Sequence, residues 1–340
     1  MKRAAPIACV LAGLHLVVVL AGFVAPYDPI EQTRTLPFAP PVRLHLFDAD
    51  GVFHVRPFVY ALAPDPENVD AYIEDTTRRF PVRMMVSGAG YTLAPGIESR
   101  LHLFGVEEPA RLSILGTDGF GRDVLSRLLH GGRVSIGAGL VATCCALLIG
   151  VALGTLAGFF AGRVDSALMR AADLFMAIPW LYLLFAVRAA LPLHLDTRTT
   201  FLVLVAVLGL VGWARPARLI RGIVLSARER TYVTAARGFG ATSGYVLRRH
   251  ILPQTLGVLL TQAGLLVPQY ILGEVTLSFL GLGVGEPTPS WGVMLGNLQQ
   301  YAVLTSYWWM FAPAVALVAV AISYHALTSI AHERMRLVTN

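Results

Sequence analysis

Glu229-Arg-Thr-Tyr-Val-Thr-Ala-Ala-Arg-Gly-Phe-Gly-Ala-Thr-Ser-Gly-Tyr-Val-Leu-Arg-Arg-His-Ile-Leu-Pro253 is a polar, arginine-loaded stretch between two long apolar runs. Tyr232, Ala235, Ala236 and Phe239 recur at helical spacing and so share one face. The paired alanines keep that face slim enough to enter a groove on a partner. Gly240 suits the left-handed conformation that stops a short helix. Thr242 or Ser243 suits the cap of a second helix running to His250. Pro253 fits the first turn of the apolar segment that follows. The expected product is a compact helix-turn-helix pressed against a membrane face. Such a knob passes a push to the apolar segments at both of its ends.

Composition supports a membrane setting. The chain has 340 residues, 55% hydrophobic and 14% charged, with mean hydropathy +0.63. A soluble domain has roughly 45–50% apolar residues. The net charge of +6 comes almost wholly from arginine, because Lys2 is the only lysine. The arginines cluster beside apolar runs, as at an inner membrane face, and this disfavours nucleic acid as a partner. A phosphate-cradling loop needs Gly-x4-Gly-Lys-Ser/Thr, and no lysine is placed to make one. ATP-driven work would therefore borrow its ATP site from another polypeptide. Cys9, Cys144 and Cys145 lie in apolar segments without Cys-x2-Cys spacing and read as small buried hydrophobes.

Six apolar runs are long enough to cross a bilayer, near 6–24, 134–160, 167–191, 199–220, 256–282 and 308–331. The first follows Met1-Lys2-Arg3. It lacks a small-x-small cleavage site at its end and reads as an uncleaved anchor, with a signal peptide as the alternative. Lys2, Arg3, Arg163, Arg170, the many arginines of 215–249, Arg334 and Arg336 fall on one side, while 283–307 has neither lysine nor arginine. Both termini and the 221–255 loop are thus expected in the cytoplasm. Residues 25–133 then lie outside. Val42-Arg-Leu-His-Leu-Phe47 alternates, Asp50-Gly51 signals a hairpin turn and Val52–Arg56 returns, so a small β-rich domain is expected there. Arg100-Leu-His-Leu-Phe104 repeats Arg43–Phe47 letter for letter and predicts two similar edge strands.

The 229–253 stretch, with its Ala235-Ala236, Gly240 and Leu252-Pro253, resembles the cytoplasmic coupling loop of ABC importer permeases, most closely the dipeptide, oligopeptide and nickel permeases. Leu115-Gly-Thr-Asp-Gly-Phe-Gly-Arg-Asp-Val-Leu-Ser-Arg-Leu-Leu-His-Gly-Gly-Arg-Val-Ser135 resembles that family's signature ahead of the second span. Leu277-Ser-Phe-Leu-Gly-Leu-Gly-Val-Gly-Glu-Pro-Thr-Pro-Ser-Trp-Gly292 resembles the one after the fifth. The resemblance covers roughly 112–330. Thr234 and His250 depart from it, as does the Ala331–Arg336 tail. It implies an all-α polytopic membrane protein of the type I importer permease kind, with six transmembrane helices. A periplasmic β-rich insertion would separate helices 1 and 2. The division would be an anchor at 1–24, an insertion at 25–111 and a five-helix core at 112–340. The coupling residues would be Glu229, Tyr232, Ala235, Ala236, Arg237, Gly240 and Pro253. The implied partners are a second homologous permease, two cytoplasmic ATPases carrying ATP and Mg, and a periplasmic substrate-binding protein. The chain itself would carry no cofactor, and it would sit in the bacterial inner membrane.

Other residues are candidates on chemical grounds. Asp118 and Asp123 do not follow EF-hand spacing, and Gly119-x-Gly121 lacks the third glycine of a dinucleotide loop. Val124, Leu125, Leu128 and Leu129 form an apolar stripe beside Arg122 and Arg127, suited to a short helix in the outer interface. That segment reads as a gate, a docking surface or a simple anchor, and Asp118, Arg122 and Asp123 enter the pathway set. Glu274, near Ser278 and Phe279, lies in the outer part of the fifth span, lining a path or bonding a partner permease. Asp173 is expected to pair with Arg170 within one helix. Gly150, Gly154 and Gly158 predict close helix packing. Trp291, Tyr301, Tyr307, Trp308 and Trp309 suit an interfacial belt.

Three function classes are compatible with these residues. The resemblance favours the ATP-driven, binding-protein-dependent importer permease, with di- or oligopeptides ahead of nickel chelates and peptide-like antibiotics as cargo. A self-powered secondary transporter would show inverted repeats and ion ligands in the membrane, and only Glu274 qualifies. An anchored enzyme or sensor acting through its external domain would draw on His45, His54 and His102. Those three sit in alternating strand-like stretches where packing roles are commoner. Neither a nucleophile–base constellation nor a metal cluster is legible, so the chain is not read as an enzyme.

Overall fold

The computed structural model describes residues 4–68, 71–94, 96–192 and 196–339. Lys2 and Arg3, used above for orientation, lie outside the described residues, as do the side chains of the 331–336 tail. The helices are α1 (Ala4–Val19), α2 (Ala21–Val24), α3 (Val124–Phe160), α4 (Gly162–Ala177), α5 (Trp180–Ala190), α6 (Thr197–Val211) and α7 (Ala214–Arg228). They continue with α8 (Thr231–Gly238), α9 (Ser243–Val246), α10 (Leu252–Phe279), α11 (Trp291–Gly296), α12 (Tyr301–Ser306) and α13 (Ala312–Thr339). Five strands lie between α2 and α3: β1 (His45–Phe47), β2 (Phe53–Pro64), β3 (Tyr72–Pro81), β4 (Arg83–Ala94) and β5 (Ile97–Gly105).

Among the described residues four helical stretches are long and apolar enough to cross a membrane: Val124–Phe160, Arg198–Arg228, Ser243–Phe279 and Trp308–Ile330. The apolar run near 167–191, expected as one span, is broken. It is a pair of helices, Gly162–Ala177 and Trp180–Ala190, bent by 82°. Pro179 explains the break, because a residue preceding proline is driven out of the helical region, and Ile178 is extended at ψ 122°. Pro6–Val19 forms a shorter apolar helix. Val124–Leu129 also differs from expectation. It is the opening of the 37-residue α3 rather than a separate interfacial helix, and Val124 and Leu129 are buried.

The chain forms two compact units. One comprises residues 1–11, 136–274 and 320–340. Its helices meet where side chains are smallest. A Cβ on Gly150 would lie 2.7 Å from Cβ of Pro216, and one on Gly158 would lie 2.7 Å from Cβ of Val224. Gly154 faces the Ala217 carbonyl even more closely. The small-residue stripe of α3 therefore brings its backbone against that of α7, as small-x3-small packing requires. Arg221 on α7 holds Asp165 on α4 through two parallel hydrogen bonds, the Nε–Oδ1 one at 2.8 Å. Asp173 pairs with Arg218 of α7 instead of Arg170. α4 packs along α7, and that contact brings Arg218 to Asp173.

The other unit comprises residues 12–135 and 275–319. Its strands make an antiparallel sheet in the order β1-β2-β3 and a separate β4–β5 hairpin. The Asp50-Gly51 turn joins β1 to β2, with Gly51 at φ +79°. Val59, Phe80, Ala110 and Leu112 form a small core. The repeated letters of Arg43–Phe47 and Arg100–Phe104 reach different ends. His45 is half-buried beside Glu74, whereas His102 is 2% exposed, its ring nitrogens 2.6 Å from the Ala25 carbonyl and 2.9 Å from that of Ala89. His54 pairs with Asp48, and that hydrogen bond, aided by the Val52 amide, holds the Asp48 carboxyl below its ordinary value.

Gly154→Val is expected to lower the thermal unfolding midpoint of the detergent-solubilised protein, at a cost of about 1–3 kcal/mol. Gly137→Ala, where no atom lies within 4 Å of the added carbon, should hold or slightly raise that midpoint, because alanine is the better helix former.

Candidate functional site

The 229–253 segment folds as two short helices fastened to the membrane helices of its unit. α7 ends at Arg228, and α8 starts after Arg230, whose backbone is extended. Gly240, at φ +84°, takes the left-handed turn that halts α8. The Thr242 hydroxyl accepts the Tyr245 amide at 3.3 Å and caps α9. The helix then continues through one wide turn at Leu247–Ile251 into α10, so Pro253 sits inside a continuous helix rather than opening a new one. Proline cannot donate to the preceding turn, and the widened turn just before it accommodates that missing bond.

Val233 anchors the knob. It is fully buried with Ile220, Val224 and Ala227 of α7, Val246 of α9 and Ile251, with Val151 and Phe159 of α3 packed against them. Burial of one such valine contributes about 2 kcal/mol. Arg237 lies over the Phe159 ring at 5.7 Å, and Gln254 bonds both the Tyr232 hydroxyl and the His250 carbonyl. The face expected to meet a partner is split by this packing. Tyr232 and Ala235 are exposed and Phe239 is 94% exposed, but Ala236 turns partly inward onto the core. Glu229 is exposed beside Arg228. Phe239, Gly240, Thr242, Tyr245 and His250 edge a shallow concavity on the outer side. The knob thus leaves one bare aromatic ring beside a concavity, on two short helices packed against α7 and α3.

A second cluster joins two segments that are far apart in sequence. Asp118 accepts the Phe120 and Arg122 amides on Oδ1 and the Arg122 Nε on Oδ2 at 2.7 Å. Arg122 then grips Glu286 with both terminal nitrogens, at 2.7 and 3.0 Å. Arg127 adds a bond to Glu286 at 2.9 Å and one to the Pro29 carbonyl at 3.3 Å. Arg122, Arg127 and Asp118 are almost fully buried, while the Glu286 side chain is 42% exposed. Two guanidinium groups thus meet two carboxylates, and bidentate geometry makes these the strong kind of charged hydrogen bond. Burial works to raise the Glu286 carboxyl, but the Arg122 hydrogen bond and the charges of Arg127 and Arg122 outweigh it and hold it below its ordinary value.

Asp123 has a separate task. Its Oδ2 accepts the Ser126 amide at 2.7 Å and the Ser126 hydroxyl at 2.6 Å, capping α3. Burial pushes its carboxyl up to about 6, against those two bonds. Nearby, the indole nitrogen of Trp291 donates to Leu128 O at 2.9 Å and that of Trp309 to Thr117 O at 3.0 Å. These two tryptophans are buried packing elements, not members of an interfacial belt, while Tyr301 and Trp308 are largely exposed. Tyr307 stacks on Phe38 with centroids 4.3 Å apart. Ser278 is buried and its hydroxyl accepts the Val284 amide at 3.0 Å, so it shapes the turn after α10. Phe279 O accepts from Gln299 Nε2 at 2.8 Å. Glu274 is 3% exposed within α10. Sequence reasoning did not single out Glu286, and it placed Arg127 beside the apolar stripe without entering it in the pathway set. Glu286 carried a signal, being the single charge in 283–307.

The described residues contain no group of three or more His, Cys, Asp or Glu side chains able to hold a metal ion. The family model described as the binding-protein-dependent transport system inner membrane component matches residues 150–337. The chain is 38% identical to the dipeptide transport system permease DppC of Bacillus subtilis over 58% of its own length and 60% of that protein. It is 39% identical to the oligopeptide permease OppC of the same organism, over 61% of itself and 65% of that protein. It is 38% identical to a probable D,D-dipeptide permease, DdpC of Escherichia coli, over 64% and 70%. The chain thus matches less than two thirds of the length of the first two of these relatives. A solved inward-facing MetNI methionine ABC transporter shows a distant likeness, at 19% identity and a TM-score of 0.43, over 63% of this chain and 96% of that one.

Glu286→Gln is expected to destabilise the protein by about 1–3 kcal/mol, because two buried guanidinium groups lose half of their countercharge. Denaturation of the purified variant checks this, and Gln299→Ala serves as the uncharged comparison. The pH dependence has a defined sign at Asp123. Its folded carboxyl keeps its proton up to about pH 6, whereas an unfolded one releases it near 3.8. Folding therefore binds a proton across that window, and stability from this group falls as pH rises through it. Asp123→Asn should flatten the fall in unfolding midpoint between pH 4 and 6.

Proposed function

Given a chain that belongs to the family of binding-protein-dependent transport system inner membrane components, we infer that it is the permease subunit of an ATP-driven importer. The family is one of multi-pass inner membrane transport permeases of the type I ABC importer kind rather than of enzymes. The observation that carries the inference is the 229–253 knob. Its core is shared with α3, α7 and α10, and its outer side presents Phe239 and Tyr245. Force applied to that side reaches the membrane helices through packed side chains, with no flexible joint between.

The finer architecture is part of the same proposal. Six spans arise if α1 with α2 and the bent α4–α5 pair each count once beside the four long helices. Both termini and the knob then face the cytoplasm, as the arginine distribution favours. Residues 25–111 form a periplasmic insertion between the first two spans, and 112–340 form the permease core. Two cytoplasmic ATPases carry ATP and Mg, since the sole lysine, Lys2, leaves no phosphate loop in this chain. A second permease completes the path, and a periplasmic binding protein delivers cargo. ATP binds the closed ATPase pair better than the open one, and that difference shifts the permease between its two states. Relatives named for dipeptides and oligopeptides support a peptide cargo. Glu229, Tyr232, Ala235, Ala236, Arg237, Gly240 and Pro253 act in coupling, Tyr232 and Ala235 at the exposed face and Ala236 beneath it. Asp118, Arg122 and Asp123 hold the outer end of the path, with Glu274, Ser278 and Phe279 along α10.

Phe239→Asp and Ala235→Glu alter only exposed positions of the knob. Both variants are expected to insert normally and to abolish copurification of the ATPase and peptide uptake by cells. Full uptake with either variant would contradict the coupling role.

A further inference from the structure

The β4–β5 hairpin is tied to the end of the first apolar helix at two heights. Nearer its base, His102 Nδ1 lies 2.6 Å from the carbonyl of Ala25. Nearer its tip, the Tyr91 ring fills the space beside Gly22, whose missing side chain lets the ring approach. Moving toward the tip therefore means moving back along the chain, from Ala25 toward the apolar residues of α1. The second helix agrees. Tyr91 and Thr92 line one cavity with His130 and Arg133 of α3, and Arg133 donates to Val18 O at 3.0 Å and to Val19 O. Thr92 thus lies on the Gly22 side of the hairpin, one step toward the last turn of α1, where Leu16 and Val19 are about 60% exposed.

About 10 Å of strand remains beyond Tyr91 before the hairpin turns. Its end is amphipathic. Thr92 pairs with Glu98 and both are exposed, and just beyond them Leu93 and Ile97 are 43% and 55% exposed. A two-stranded hairpin has two open edges, and unpaired backbone groups cannot enter hydrocarbon. The headgroup layer satisfies such edges while giving apolar side chains somewhere to go.

We propose that the tip of the β4–β5 hairpin sits in the headgroup layer of the bilayer, with Leu93 and Ile97 in contact with lipid. The hairpin then steadies the first helix against the membrane surface from outside. The inference rests on residues 4–24 crossing the bilayer and not on the importer assignment.

Spin labels test it on the full chain in nanodiscs of phosphatidylethanolamine and phosphatidylglycerol. Cys9, Cys144 and Cys145 are replaced by alanine, and single cysteines are placed by Leu93→Cys, Ile97→Cys, Met84→Cys and Leu16→Cys. Met84 is 64% exposed at the base of the same hairpin, and Leu16 marks the membrane. Labels at 93 and 97 are expected to collide several-fold more with oxygen, relative to a water-soluble nickel chelate, than the label at 84. A ratio at 93 and 97 equal to that at 84 would overturn the proposal, and so would exclusion of both reagents, which would mean a protein contact. Failure of the label at 16 to favour oxygen would instead overturn the spanning of the first helix.

Discussion

The grip of Arg122 and Arg127 on Glu286 is the constraint around which the strand-bearing unit is organised. Two guanidinium groups lie almost wholly inside protein, and each is tolerable there only while a carboxylate answers it. Asp118 supplies one countercharge from the loop before α3, and Glu286 supplies the other from the turn after α10. The start of one long helix and the exit of another are thereby fixed to each other. The loop geometry around them follows. Gly121, at φ +70°, lies against the Thr33 carbonyl, and Gly116, at φ +67°, lies under Trp309. No side chain fits at either place, so the backbone folds tightly around the charges.

The all-helical unit is held differently. Its contacts are apolar, with valine, isoleucine and alanine from five helical segments meeting at Val233. Charge appears at the rim, where Arg221 meets Asp165 and Arg218 meets Asp173. A cluster of this kind is stiff because it is close-packed, and its stiffness does not depend on ionic strength. The proposed division of labour matches the materials: an apolar block for transmitting force and an ionic clasp for fixing an end.

How much of this could be read from residues depended on whether the signal was local. Gly240, the Thr242 cap and the glycines at 150, 154 and 158 behave as their spacing implies, because a turn, a cap and a close helix approach are each decided within a few residues. The strand–turn–strand around Asp50-Gly51 was legible for the same reason. Glu286 was not singled out, since its partners lie 159 and 164 positions away. Trp291 and Trp309 looked like interfacial aromatics, yet each donates its indole N–H to a buried carbonyl. Composition cannot tell those two fates apart. The identical pentapeptides at 43 and 100 make the same point, because only the element packed against each strand decides whether its histidine is half-exposed or enclosed. The 82° bend was missed although Pro179 was visible, because hydropathy sums over a window and ignores backbone direction.

The glycine stripe on α3 also limits how the all-helical unit can deform. With backbone lying on backbone along three successive turns, α3 and α7 mesh like two racks without clearance. Neither helix can spin about its own axis without driving a carbonyl into its neighbour, so the pair can only tilt or travel together. A displacement imposed on the end of α7 therefore meets α3 directly, with no side chain between to absorb it.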